Sequence, residues 1–166
     1  MKNEPVTIDG QTRWLSRSLA AVCYVFANID GNICILANKR GPGTKERPQS
    51  NPGKWNAPSG FLDYDETIEE CACREVYEET GVQIYPYMLT LRALDSDPSR
   101  NAQTVLARFT CLLNDAKSVE LTNKHAEENE VDEIKWIPIH EIRNYDWVSK
   151  KHVNQIEVYA RTILLF

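Results

Sequence analysis

The sequence has no long apolar run. No stretch approaches the roughly eighteen consecutive apolar residues of a membrane-spanning helix, and the polar opening from Met1 to Gln11 lacks the apolar segment of a secretory signal. A cytoplasmic setting is the expectation. There is no basic excess either: 19 Lys and Arg stand against 24 Asp and Glu, a formal net charge of -5, which argues against broad binding to nucleic acid or an anionic membrane. A small anionic substrate delivered on a divalent metal ion remains compatible with that charge. Cysteine is odd in number, and Cys23, Cys34, Cys71, Cys73 and Cys111 sit mostly in apolar stretches, the pattern of reduced core residues. Cys71 and Cys73 have the spacing of a metal pair only on paper. Two positions apart on a helix they point to nearly opposite sides, and no second Cys or His pair completes a zinc site. Repeats and low-complexity segments are also missing. At 166 residues with 42% hydrophobic content, the chain is sized for one domain burying about 70% of its unfolded surface, with residues 1–16 as an N-terminal extension.

What is there reads as strands interleaved with helices. The apolar runs Leu19 to Phe26 and Ile33 to Ala37 flank Asp30-Gly31, a hairpin turn signal, and predict paired antiparallel strands. Gly41 to Gly53, with Pro42, Pro48 and Pro52, reads as a long loop that could border a substrate cleft. Ile84 to Leu94 and Thr104 to Leu113 read as strands, the second alternating through Val105, Ala107, Phe109, Cys111 and Leu113, with a turn from Asp95 to Asn101 between them. Val131 to Ile137 predicts a final strand and Ile139 to Tyr145 a short helix. Val148 to Leu165 predicts a C-terminal helix with Val153, Ile156, Val158, Ala160, Ile163 and Leu164 as its apolar positions. The expected class is α/β, a mixed sheet covered on both faces.

The most informative segment runs from Gly60 to Val82. From Thr67 onward, Ile68, Cys71, Ala72 and Val76 recur every three or four residues, one buried stripe of a helix that Gly81 can terminate. Glu75, Glu78 and Glu79 then fall within one turn on a common side, where like charges repel unless a cation intervenes. Hard carboxylate oxygens select magnesium, manganese or calcium over zinc, and magnesium keeps waters while bridging to substrate phosphates. Arg74 just before them offers five planar donors to hold a neighbouring carboxylate. Glu66, near the helix start, meets the positive end of the helix dipole. Glu69 and Glu70 read as a solvated face.

Gly60, Glu66, Arg74, Glu75, Val76, Glu78, Glu79, Gly81 and Val82 fill every specified position of a pattern that resembles the Nudix box, G-x5-E-x7-R-E-U-x-E-E-x-G-U with U aliphatic. The resemblance implies an α/β/α sandwich with a mixed β-sheet. It also implies cleavage of a nucleoside diphosphate linked to another moiety, by metal-activated water attacking phosphorus, with Mg2+ as cofactor and Mn2+ as a substitute. Glu75, Glu78 and Glu79 are the implied metal ligands, and Arg74 orients the glutamate after it. The approach Gly53-Lys54-Trp55-Asn56-Ala57-Pro58-Ser59-Gly60 is similar to the family's Pro-Gly-Gly entry, with Ser59 replacing the first paired glycine. The backbone carbonyl of Ser59 is then a further implied ligand, although positive φ there would cost serine more than glycine. Asp65 stands where the family usually has glycine, so a changed turn is expected.

A general base is harder to place. In many relatives it is a glutamate from a loop before the last strand, and Asn123 to Glu133 contains Glu127, Glu128, Glu130 and Glu133, of which Glu128 and Glu130 are carried as candidates. His125 in that loop reads as a surface histidine. For substrate, Arg40 ahead of Lys39, Arg47 and Lys54 could meet phosphates, and Trp55, Tyr24 or Tyr64 could stack a base, although a tryptophan there more often packs. Pro98, sixteen residues after Val82, has a spacing that resembles the proline of ADP-ribose-cleaving relatives, although prolines have their own reason to sit in turns. Three readings follow. The first is a hydrolase of ADP-ribose, a nucleotide sugar or a similar compound. The others are a housecleaning pyrophosphatase of nucleoside triphosphates and a nucleotide-sensing module without turnover, which the intact glutamate set disfavours. The expected partner is a small nucleotide, not nucleic acid or membrane, with a homodimer left open.

Overall fold

The computed structural model describes residues 3–101, 103–114, 116 and 119–163. Met1, Lys2, Leu164 and Leu165, at the ends of segments named above, lie outside the described residues. The extension over residues 1–16 carries a separate two-stranded ribbon, β1 (Glu4–Ile8) and β2 (Gln11–Leu15), closed by Asp9-Gly10 at φ 51° and 74°. Its residues are exposed apart from half-buried Val6, so no periodic apolar face announced it.

The main sheet grows from the expected hairpin. β3 (Ser18–Ile29) and β4 (Asn32–Arg40) pair antiparallel through Asp30-Gly31, whose φ values of 51° and 82° give the mirror-image turn that matches strand twist. Their pairing covers only Phe26 to Ile29 with Asn32 to Ile35. Beyond it the strands diverge, and two short strands fill the wedge: β5 (Trp55–Asn56) beside β4, and β6 (Ser59–Phe61) beside the start of β3. Helix α1 (Ile68–Thr80) follows, then β7 (Thr90–Asp95), β8 (Thr104–Leu113), β9 (Val131–Pro138) and helix α2 (Lys150–Ile163). β8 runs parallel to β3, β7 closes that edge, and β9 pairs with the outer side of β4.

Alternation along β3 divides the interior. Ala21, Cys23, Val25 and Ala27 pack with Cys71, Ala72 and Val76 of α1, while Val22, Tyr24 and Phe26 pack with Ile156 and Ala160 of α2. A strand covered on both faces reads as a continuous apolar run, as this one does. All five cysteines are buried free thiols.

The strand expected over Ile84 to Leu94 is shorter than its apolar content implied. Ile84 is buried beneath α1, but Pro86 cannot donate to a ladder, and Pro86–Met88 turns as a 3-10 helix before β7 begins at Thr90. The short helix after β9 is likewise 3-10, Ile139–Asn144. α2 presents Ile156, Ala160 and His152 inward, whereas Val158, counted above as apolar stripe, points outward because it lies two positions from each of Ile156 and Ala160.

Candidate active site

Helix α1 is built to hold a fixed start and stop. Thr67 caps it, its hydroxyl accepting from the Glu70 N–H while the Glu70 carboxylate accepts from the Thr67 N–H. Gly81 ends it in the left-handed region at φ 76°. Between these ends Arg74 is a hub. Its Nε and Nη2 donate to both oxygens of Glu66 at 3.0 and 2.8 Å, its Nη1 to Glu75 at 2.7 Å and Glu78 at 3.0 Å, and Nη2 also reaches the Phe61 carbonyl at 3.0 Å. Glu66 is therefore a bidentate partner of Arg74 as well as a carboxylate at the helix start. That bond, with the Asp63 N–H, holds its pKa below the usual carboxylate range.

Glu79 is 1% exposed, with one oxygen accepting from Asn38 Nδ2 and from the Ser59 N–H, both at 3.1 Å. Burial pushes its pKa far up, with Glu75 and Glu130 adding to the rise. Burial likewise pushes Glu75 up to about 7, against the pull of Arg74. Gly60 explains how close Glu75 comes to β6. A Cβ there would lie 2.5 Å from Glu75 Oε2 and nearer still to Oε1. Ser59 lies in extended β6 and does not take positive φ, so the cost expected of serine does not arise. Asp65 sits in the turn before Thr67.

The loop before β9 separates its glutamates. Glu130 accepts from Gln49 Nε2 at 3.2 Å, and its charge raises the pKa of both Glu75 and Glu79. Glu127 pairs with Arg47 at 2.7 Å, Glu133 with Lys135 at 2.5 Å, and Glu128 is exposed. His125 stacks on Tyr77 at 4.6 Å. Of the four loop carboxylates, Glu130 is the one whose field reaches the α1 cluster.

A cleft of about 540 Å3 opens beside β6, lined by Arg40, Ser59, Gly60, Arg100 and Arg108 among others. Arg40 is anchored to the long loop by Nε donating to the Ser50 carbonyl at 2.8 Å and by a contact with Gln49. Lys54 instead pairs with Asp146 at the surface, 3.6 Å away. Trp55 is 5% exposed, edge-on to Tyr145 in the α2-side core and beneath the Lys135 ammonium, so its ring is packed and offers no face to a base. Pro98 begins an exposed turn held by Asp97 and Ser99; its neighbours Asp97 and Arg100 line the cleft and it does not. Sequence reasoning missed Asn38, Asp95, Arg100, Arg108 and Lys151. The one signal available was a buried-strand position filled by a polar residue, Asn38 in β4 and Arg108 in β8.

The donor set fits a hard divalent ion. Glu75, Glu78 and Glu79 supply carboxylate oxygens on one helix face, Ser59 a carbonyl, and Asn38 Oδ1 is a buried acceptor without a hydrogen-bond partner among the described residues. Glu75 and Glu78 both accept from Arg74, and no three acidic, His or Cys side chains among the described residues converge as a closed cluster.

Comparison with known proteins agrees with the geometry. The family model described as NUDIX domain matches residues 17–160. The chain belongs to the Nudix family, and it carries the fold and box residues of Nudix hydrolases. It is 27% identical over 133 residues to the NAD-capped RNA hydrolase NudC of Vibrio parahaemolyticus, covering 80% of this chain and 44% of that protein. A 32-residue stretch, 19% of this chain and 21% of the relative, is 53% identical to phosphatase NudJ of Escherichia coli K12. The chain thus spans less than half the length of these curated relatives. Among solved structures, the NUDIX domain of Shewanella oneidensis NrtR complexed with ADP ribose superposes with a TM-score of 0.69, at 21% identity and 90% coverage of both chains. The Francisella tularensis bifunctional NMN adenylyltransferase/ADP ribose pyrophosphatase, complexed with AMP and a manganese ion, gives 0.67 at 21% identity, covering 88% of this chain and 42% of that one. At such identities these two show the fold.

Proposed function

We propose that this chain is a Mg2+-dependent pyrophosphohydrolase of a nucleoside diphosphate linked to another moiety, ADP-ribose or a nucleotide sugar, with Mn2+ as a substitute. The observation that carries the reading is the Glu79 carboxylate, buried beside Glu75 behind the cleft-lining Ser59 and Gly60 and held among the described residues by Asn38 and the Ser59 N–H. An anion in that position needs a cation to ionise at neutral pH. Glu75, Glu78, Glu79 and the Ser59 carbonyl would hold the ion, which when bound offsets diphosphate charge and acidifies water. Arg74, tied to Glu66, keeps the Glu75 and Glu78 side chains from drifting into solvent. Arg40 meets the negative charge of the diphosphate from the cleft side. Glu130 accepts the proton of the attacking water, and Glu128, exposed in the same loop, takes no part. Some relatives and structural neighbours point the same way: one is named for NAD-capped RNA, another holds ADP ribose, and both ligands contain a nucleoside diphosphate linkage.

The test is a panel of dinucleotides, nucleotide sugars and nucleoside triphosphates with Mg2+, resolved by chromatography, with a chelator control. AMP plus ribose phosphate from ADP-ribose is the expected product pair. Glu79→Gln should lower turnover at least about a hundredfold while leaving the melting curve intact. Activity that survives chelation, or full activity in Glu79→Gln, refutes the proposal.

A further inference from the structure

The far end of the cleft carries a charge arrangement that the hydrolytic site does not use. Asp95, at the end of β7, is contacted by three cations: Arg100 Nη1 at 2.8 Å, Arg108 Nη1 at 3.1 Å and Lys151 Nζ at 3.4 Å. Arg100 Nε also lies 3.6 Å from Asp97, so two carboxylates stand against three cations. The excess is positive in a chain whose net charge is -5, and Arg108 is only 7% exposed, where uncompensated charge is costly. Its Nε has no hydrogen-bond partner among the described residues. Arg17 fixes the segment carrying Arg100 by donating to the carbonyls of Ser96, Asn101 and Thr104 at 2.6, 2.6 and 2.8 Å. Arg108 and Lys151 line both the cleft and an adjoining cavity of about 240 Å3 whose wall includes Tyr24, His152 and Gln155.

Strand register sets the distance. Ser59 pairs with Val22 across β6 and β3, and Val22 with Arg108 across β3 and β8. Arg108 thus lies two strand spacings, about 10 Å, from the residue whose N–H holds Glu79. One phosphate cannot touch both ends. Resting on the reading above, we propose that Arg108, Lys151 and Arg100 form a second anion subsite. It takes a phosphate monoester on the substrate arm that lies along the cleft. One positive charge is left after Asp95 and Asp97, and the three acceptor oxygens of a phosphate monoester match the three cationic donors better than the two of a carboxylate. Among the nucleoside diphosphate compounds proposed above, those bearing an additional phosphate on that arm should then be preferred over ADP-ribose itself.

The test needs no metal and no turnover. Ribose 5-phosphate is titrated into the protein by calorimetry in chelator at low salt, beside ribose and ribonate. Expected are binding of ribose 5-phosphate below about 1 mM, none of ribose, and about tenfold weaker binding of ribonate. Lys151→Met, at a half-exposed side chain, and Arg108→Met should each weaken ribose 5-phosphate about tenfold, as should high salt. Wild-type protein that ignores ribose 5-phosphate, equal affinity for ribonate, or Lys151→Met binding as tightly as wild type would each overturn the subsite. Hydrolysis of the diphosphate panel is scored separately. A protein that binds ribose 5-phosphate but cleaves nothing loses the hydrolase reading and keeps the subsite, and the reverse result does the opposite.

Discussion

Replacing Gly60 by alanine should separate the fold from the chemistry. The added methyl would stand 2.5 Å from Glu75 Oε2 and nearer to Oε1, against an ordinary carbon contact of about 3.5 Å. Something must move by roughly 1 Å, and the atoms in the way are the far end of a flexible side chain. Gly60 itself does not take positive φ, so its backbone accepts alanine. Glu75 would swing off β6 and loosen its 2.7 Å bond from Arg74, while Arg74 stays anchored by both oxygens of Glu66 and the Phe61 carbonyl. The stability cost should be about 1 kcal/mol, near the typical single substitution. Turnover should fall about a hundredfold, since a catalytic group misplaced by 1 Å costs about that much. The assay pairs kcat on the best substrate of the panel with a thermal melt. Wild-type kcat in Gly60→Ala would refute the claim that this glycine sets the position of Glu75; lost activity with a collapsed melt would show the site and fold to be inseparable here.

His152 is buried, with its pKa pushed down to about 4 by burial and by Arg108. The unfolded chain, at about 6.5, takes up the proton first, so the contribution is full above pH 6.5, shrinks as pH falls toward 4, and totals about 3 kcal/mol. Denaturant titrations from pH 7 to 4 should show that slope in wild type and its loss in His152→Gln; parallel curves would refute it. Gly81→Ala places a Cβ 2.5 Å from Thr122 Cγ2 at φ 76° and should cost about 2 kcal/mol, a drop of roughly 4–8 °C in the melt. An unchanged midpoint would remove the case for a required left-handed cap. Arg74→Lys keeps the charge but cannot span Glu66, Glu75 and Glu78 together, so kcat should fall at least about tenfold. Activity equal to wild type would show that charge alone suffices.

Where one stretch of chain carries both the pattern and its consequence, the sequence was readable. Helix α1 is such a case: its cap, apolar stripe, glutamate face and terminal glycine all lie within fifteen residues of one another. The β3–β4 hairpin is another, its turn chemistry adjoining its strands. The cationic corner could not be seen, because Asp95, Arg100, Arg108 and Lys151 come from a strand end, a turn, a second strand and a distant helix. Only the fold brings them to one carboxylate. Trp55 shows a different limit, since an aromatic beside the box has the same letters whether it packs or stacks, and burial against Tyr145 decides it. Among Glu127, Glu128, Glu130 and Glu133 the composition is uniform; the ion pairs of Glu127 and Glu133, the exposure of Glu128 and the effect of Glu130 on Glu75 and Glu79 are what tell them apart.

The parallel union of β3 with β8 joins Ser18 to Thr104 and Ala27 to Leu113, partners more than eighty positions apart. Closing so large a loop is entropically slow, whereas α1 and the β3–β4 hairpin need only local contacts. A nascent chain can therefore wind its glutamate-bearing helix long before the opposite wall of the cleft arrives. Catalytic competence is then expected late in assembly, when that one strand docks.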